Sequence, residues 1–432
     1  MSTQTQNLRG PSSIVGTVRE RLDKTQIGGR PPTYYLSGWR LGLLFLVLAI
    51  LFPLVVTDQS LQVTAILIGI YVLLALGLNI VVGYAGLLDL GYVAFFVVGS
   101  YTVAIFTGGI LLRPDGSVAH IPSISFWLLL PLAALLAGLF GVLLGAPTLR
   151  LRGDYLAIVT LGFGQILPIV FQNVPWFFGQ LGMSALPPPD IGPISFSDPL
   201  DRSAFYYLTL FLVVLVILAV SSLRDSSLGR AWVAIREDET AAAASGVNLV
   251  RTKLLAFGLG AVTGGIGGAL NASYLTAIAP TDFNFGISIT ILVMIVLGGL
   301  GSIPGVIIGA MLLRFFDVYL LGKINDTVHG SPLVTADGAP LHFLATLDFN
   351  TAKYLFYGLV LMAMILLRPQ GLIPNVRRQR ELAGIGAAPE GVSAVGLFEQ
   401  EVAGEELTAI DVGEQTEYVG EGSEALGRED HV

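Results

Sequence analysis

Few side chains in this 432-residue chain could do chemistry, and their types and spacing narrow what that chemistry is. Arg314 and Asp317 stand three apart in an otherwise apolar run, so on a helix they share a face and can pair. A charge at membrane depth marks function by default, and the same pair also fits the point where a short helix leaves the hydrocarbon; both readings stay open. Asn79 is polar within a second apolar run, and Asp89 follows it among glycines in Gly77–Gly99. His120, His329, His342 and His431 lie in connections or the tail without ligand spacing, and the chain has no cysteine. Disulfides, thiolate metal sites and a cysteine nucleophile are thereby excluded, and no metal or cofactor is expected. There is no Gly-x-x-x-x-Gly-Lys-Ser/Thr phosphate loop, so the chain is not expected to hydrolyse ATP itself. No run carries the paired carboxylates, or carboxylate with histidine, that ion coupling usually needs. No Ser/His/Asp set is visible, and no catalytic residue is assigned.

The elements that must hold these residues are membrane helices. The chain is 53% hydrophobic and 12% charged, against about 25% charged in soluble domains. About ten apolar runs follow one another, near Leu41–Val56, Leu61–Val82, Val93–Leu112, Phe126–Ala146, Tyr155–Phe171, Phe205–Val220, Leu254–Ala277, Phe285–Gly299, Ile303–Leu321 and Ala352–Leu367. A spanning helix needs roughly 20 apolar residues, so the shorter runs are expected to tilt, re-enter or lie inside the bundle. The alternating ten-residue pattern of a membrane barrel is absent. The expected fold is an all-α polytopic bundle of about ten transmembrane helices spanning residues 41–372. Residues 1–40 would form a cytoplasmic arm, and 373–432 a mostly disordered cytoplasmic tail.

Charge orients that bundle. Glu381–Val432 holds thirteen acids against Arg428, so a net −12 there, within −8 for the whole chain, leaves Met1–Arg380 at +4. With the N-terminus inside, the inner connections and both termini hold eighteen Lys/Arg, against Arg113, Arg202, Lys323 and Lys353 outside. This asymmetry satisfies the positive-inside rule for ten spans with both termini cytoplasmic. No basic nucleic-acid patch is present. The outer connections Gln172–Ala204 and Gly322–Thr351 are long, and read either as variable loops or as docking faces for an extracytoplasmic partner.

One polar island interrupts this pattern. In Ser221–Lys253, Leu228, Trp232 and Ile235 follow helical spacing while Arg230, Arg236, Glu237 and Glu239 supply charge. That suits an amphipathic helix on the inner face or one fitting a partner's groove, ended at Gly246. Gly77–Gly99 admits two readings. Asn79, Gly83, Gly86, Asp89 and Gly91 line a substrate route, since irregular backbone at membrane depth needs protein or water around it, or they form a tight inner turn in which Asp89 caps a helix. Gly260, Gly264 and Gly268, and again Gly301, Gly305 and Gly309, recur every fourth residue, the spacing that lets helices approach closely in lipid. In Arg150-Leu-Arg-Gly-Asp154-Tyr, the charges are expected to anchor the next helix at the interface.

Several phrases resemble a known family: Gly77-Leu-Asn-Ile-Val-Val-Gly-Tyr-Ala-Gly-Leu-Leu-Asp-Leu-Gly91, Arg150-Leu-Arg-Gly-Asp-Tyr-Leu-Ala-Ile-Val-Thr-Leu-Gly-Phe-Gly164, Gly229-Arg-Ala-Trp-Val-Ala-Ile-Arg-Glu-Asp-Glu239, Ile289-Thr-Ile-Leu-Val-Met-Ile-Val-Leu-Gly-Gly-Leu-Gly-Ser-Ile-Pro-Gly305 and Arg368-Pro-Gln-Gly-Leu372. Over residues 60 to 372 the chain looks like LivM-type permeases of branched-chain amino acid ABC importers. The resemblance implies a multi-pass permease of a bacterial inner membrane, paired with a homologous LivH-like permease. It also implies two ABC ATPase subunits, an extracytoplasmic solute-binding protein, and a coupling segment at Ser221–Lys253. Such permeases often show Glu-Ala-Ala, three residues, then Gly in that loop. Here Gly246 is preceded by Thr240-Ala241-Ala242, with the acid one place earlier at Glu239, a departure that leaves the contact of Glu239 open. The coupling residues are expected among Gly229, Arg230, Trp232, Arg236, Glu239, Ala241, Ala242 and Gly246. The expected function is import of branched-chain or other neutral amino acids by alternating access; alternatives are a urea or short-chain amide ABC permease and an ion-coupled secondary carrier, while a membrane enzyme lacks visible machinery.

Overall fold

A computed structural model gives the fold. It describes residues 38–56, 58–108, 110–112, 118–120, 123–148, 154–184, 186–191, 194–195, 202–329, 349–368 and 370–373. The chain divides into Met1–Pro374 and Asn375–Val432, and every described residue belongs to the first unit. The N-terminal arm up to Ser37, the Arg150–Gly153 turn, the acidic tail and residues 330–348 of the outer insert lie outside the described residues.

The architecture is all-helical and polytopic. The apolar helices in order are α1 (Gly38–Val55), α2 (Gln59–Leu78), α3 (Val93–Gly108), α4 (Phe126–Thr148), α5 (Asp154–Asn173) and α6 (Ser203–Asp225), followed after the polar island by α9 (Leu249–Leu275), α10 (Phe285–Gly298) and α11 (Ile303–Phe315). The polar island folds as α7 (Ser227–Glu237) and α8 (Glu239–Ala244), and α12 (Leu321–His329) and α13 (Phe349–Leu367) close the unit. Two stretches are π-helical: Asn79–Tyr84, which prolongs α2, and Phe316–Leu320, which joins α11 to α12. Among the described residues, seven helices are long and apolar enough to cross a membrane, and three shorter apolar ones lie at Gly42–Val55, Val93–Gly108 and Lys353–Leu367.

Two expectations change. The second run does not end at Val82, because the π-helix carries it to Tyr84. The outer connection after Leu321 opens as helix α12, with an apolar residue often enough to continue the turn. In Gln172–Ala204 the residues Met183–Ser184 pair antiparallel with Ala277–Ile278, tying that connection to the end of α9.

Helix α9 is the pivot, and glycine sets its distances on two faces. A Cβ on Gly268 would press on the Phe96 carbonyl and the Ser100 amide of α3, and one on Gly264 would reach the Phe95 side chain. On the adjacent face, Gly265 lies against the Ala133 carbonyl of α4, and Gly141 of α4 lies against Ala261 and the Phe257 carbonyl. Close backbone approach adds dispersion contact here, because lipid offers no hydrophobic drive for association. The four-residue period found one of these faces; Gly258 and Gly265, which make the other, stand off that period.

Crossing helices α10 and α11 use the same device. Gly309 lies on Met294 and Gly298, and Gly305 faces the Gly298 carbonyl. The chain then returns, as Leu372 and Ile373 donate their amides to the carbonyls of Leu297 and Gly298 at 2.9 and 3.0 Å. The Arg368–Leu372 phrase thus satisfies carbonyls left open at the end of α10.

Candidate functional site

Helix α7 is amphipathic for a local reason. Ser226 caps it, its hydroxyl accepting from the Gly229 amide at 3.3 Å, and Gly229 itself leaves no room for a Cβ beside the Arg224 carbonyl. The turn from α6 into α7 is therefore tight, and it points one stripe of α7 into the bundle. Trp232 is wholly buried, and its Nε1 donates to the Thr252 carbonyl at 2.8 Å, fastening α7 to the first turn of α9. Ile235 is buried beside it. Arg230, Val233, Ala234 and Glu237 remain exposed on the opposite side.

Helix α8 carries its own cap. The Asp238 carboxylate accepts from the Thr240 and Ala241 amides at 2.7 and 3.0 Å, and those donors hold it below the usual carboxylate range. Ala242 packs inward, whereas Ala241 and Gly246 are exposed. Gly246 sits at φ +85°, which only glycine adopts without strain. Glu239 pairs with Lys253, whose ammonium-bearing side chain is 7% exposed. Glu239 therefore faces the protein: it satisfies a buried cation at the root of α9, a role that the sequence left open.

Arg236 reaches further. It lies one turn after Trp232, and its Nη1 donates to the carbonyl of Gly83 in the first π-helix. Its methylenes cover Gly86, which has φ +69°. On the other side of the same π-helix, Asn79 Oδ1 accepts from the amide of Gly301 at 2.9 Å, and Gly83 itself abuts that amide. Gly301, at φ +78°, forms the turn between α10 and α11. The π-helix is thus gripped between the α7 side chain and the α10–α11 turn. Asn79 is fully buried, and a wider i→i+5 turn is what brings its amide side chain to the Gly301 donor.

Asp89 and Gly91 stand apart from that grip. Gly91 packs its backbone against that of Thr160, and its amide donates to Asp89 Oδ1 at 2.9 Å; Leu90 donates to the Thr160 hydroxyl at 3.1 Å. The carboxylate bridges its own turn, while the amide of Val93, which opens α3, finds Ser288 Oγ at 3.1 Å. Asp89 is buried, and burial pushes its carboxyl up to about 6, the Gly91 amide opposing. Its second oxygen meets no partner among the described residues, and it faces a cavity of about 10 Å3 shared with Thr148 and Thr160. That volume suits about one water.

The five glycine-segment positions therefore split into two groups. Asn79, Gly83 and Gly86 belong to the junction with α7 and the α10–α11 turn, and Asp89 with Gly91 belongs to the packing of α3 on α5. Tyr92, Thr160, Ser288 and Lys253 escaped sequence reading, being ordinary residue types whose partners lie far along the chain.

The chain matches the family described as branched-chain amino acid transport system / permease component over residues 60–365. It is 38% identical over 364 residues to the high-affinity branched-chain amino acid transport system permease protein LivM of Escherichia coli K12, covering 79% of this chain and 76% of that protein. The chain belongs to this permease family. A probable LivM of Methanocaldococcus jannaschii is 27% identical, covering 71% of this chain and 91% of its own length. The LivH permease of Salmonella typhimurium is 25% identical, covering 61% and 87%. No solved structure matches. The matched region contains α2 through most of α13, so the α7–α8 island and both π-helices lie inside the family domain.

Proposed function

We propose that this chain is the transmembrane permease subunit of an ABC importer for branched-chain amino acids in a bacterial inner membrane. It pairs with a LivH-like permease, two ATPase subunits that hydrolyse the ATP, and an extracytoplasmic binding protein. The ten apolar helices all cross, with both termini inside, and α7–α8 receive an ATPase on the cytoplasmic face. The observation that carries this reading is the α7–α8 island itself. Its inner stripe is locked to α9 and to the first π-helix through Trp232 and Arg236, while its outer stripe is left exposed.

The mechanism follows from that anchoring. A push on α7 moves the carbonyl of Gly83 through Arg236, and Asn79 passes the displacement to the α10–α11 turn. Because the helices around α9 touch through glycine backbone, they slide with few side chains to repack. This is alternating access driven by subunits outside the chain, and it needs no titratable group in the path.

The test is ATP-dependent leucine uptake into proteoliposomes holding the chain with its four partner subunits. Gly246→Trp, which puts a bulky group on the exposed turn, and Arg230→Glu are expected to abolish uptake with the complex still assembled. Uptake of urea in place of leucine would move the substrate to short amides, and transport by the chain alone on an ion gradient would overturn the reading.

A further inference from the structure

A cavity of about 310 Å3 lies away from the α7–α8 island. It is lined by Arg314, Asp317, Val318, Leu321, Gly322, Asn325 and Lys353. Its size is at the small end of ligand pockets, about 300–1,000 Å3. Asp317 is paired with Arg314 and, at 3.3 Å, with Lys353 Nζ, so two cations meet one carboxylate and the cavity is left with a surplus positive charge. Arg314 is held flat by the Tyr71 ring, 4.0 Å from its guanidinium carbon, and its buried Nε meets no acceptor among the described residues. The lining comes from the end of α11, the second π-helix, α12 and the start of α13, and π-helices gather at functional positions.

The depth of this cavity points to its occupant. The apolar stretch Ile303–Asn325 ends at the cavity, and Lys353 opens the apolar stretch Lys353–Leu367. Aromatic rings mark the same level: Tyr319 lies under Lys323 at 4.6 Å, and Tyr354 is exposed. Such rings sit where hydrocarbon meets headgroups. On both helices the flanking surface is apolar and open, with Leu320, Ile324 and Leu355 exposed at 42%, 37% and 75%. A net positive, polar cavity at headgroup depth, rimmed by apolar side chains, has the features of an interhelical lipid-headgroup site.

We propose that this cavity binds the phosphate of one anionic phospholipid, with Arg314 and Lys353 as its donors and the acyl chains lying along α11 and α13. A lipid so placed ties α13 to the end of α11, where Lys353 pairs with Asp317 and Phe356 stacks on Phe316. The proposal stands apart from the transport reading, since it concerns the chain and lipid only.

The test uses the purified full chain in detergent and native mass spectrometry with equimolar phosphatidylglycerol and a neutral glycosyl diacylglycerol of the same chains. The wild type is expected to keep one phosphatidylglycerol in preference to the neutral lipid. Lys353→Gln should reduce that preference about tenfold, the loss of one charge-assisted contact, and Lys353→Arg should retain it. Val318→Trp fills the cavity with the three charges intact and should remove the bound lipid as well, with gel filtration confirming a folded chain. Equal preference in the wild type and Lys353→Gln would overturn the proposal. So would thermal stabilisation of the lipid-free wild type by leucine but not by phosphatidylglycerol, which would give the cavity to a carboxylate.

Discussion

The two π-helices make opposite uses of the same local widening. In Asn79–Tyr84 the extra residue turns a neutral side chain toward a backbone donor 222 residues away, and the segment is gripped on both sides by protein. In Phe316–Leu320 no residue is fully buried, and the widened turn accompanies an ion-paired carboxylate beside an open cavity. The inner segment joins two parts of the bundle; the outer one borders a space. Carboxylates follow the same division. Asp89 near the inner segment is buried with no cation against it among the described residues, whereas Asp317 is 6% exposed and held by two. Burial without a partner favours the neutral acid.

Gly83→Val separates these regions most strongly. Its Cβ would meet the Asn79 side chain and, at 2.8 Å, the Gly301 amide, neither of which can withdraw without breaking their hydrogen bond. Overpacking against backbone is expected to cost on the order of 3 kcal/mol, read by denaturant titration in detergent. A variant as stable as the wild type would mean that the inner segment is not gripped at all.

Asp317→Asn should come next, at about 2 kcal/mol, because it leaves Arg314 and Lys353 facing each other over a cavity that water can enter. The same measurement checks it, and charge reversal of Lys353 to Glu, which again sets a carboxylate near Arg314, should restore part of it. Full stability in Asp317→Asn would show that the pair is solvated like a surface one.

Asp89→Asn has the opposite sign. The folded carboxyl titrates near 6, above its ordinary 3.8, so its contribution is complete below pH 4 and is lost as pH rises through 6. At pH 7.5 the amide is expected to be more stable than the wild type by roughly 1–2 kcal/mol, and the fall between pH 4 and 7 should disappear. A melting curve against pH decides it; an unchanged fall would assign it to another group.

Gly322→Ala, at the outer segment, is the smallest effect. Nothing lies within 4 Å of its added Cβ, and alanine for glycine inside a helix gains about 0.5–1 kcal/mol. A loss there would close the space that distinguishes the outer segment from the inner one.

Much of this was legible in the chain itself. Apolar runs and the sparse charge specify helices in lipid, because transfer free energy sums over neighbouring residues and asks nothing of distant ones. The polar island announced itself in the same local way: Leu228, Trp232 and Ile235 share a stripe through the 3.6-residue period alone, whereas the inward reach of Arg236 did not show. Gly260, Gly264 and Gly268 likewise showed one packing face. The family phrases around Gly83, Arg236 and Gly301 marked each end of the junction without showing that they meet.

That meeting belongs to the tertiary structure. Arg236 to Gly83 and Asn79 to Gly301 are bonds across 153 and 222 residues, and either polar side chain would serve equally well in a solvated turn. The Gly301 amide that Asn79 satisfies is supplied by a distant turn, and leaving such a buried donor unpaired would be costly. The same holds for Glu239, whose shift from the expected position became intelligible only with Lys253 buried behind it. Sequence determined which segments leave water; packing decided which of their few polar groups must find one another.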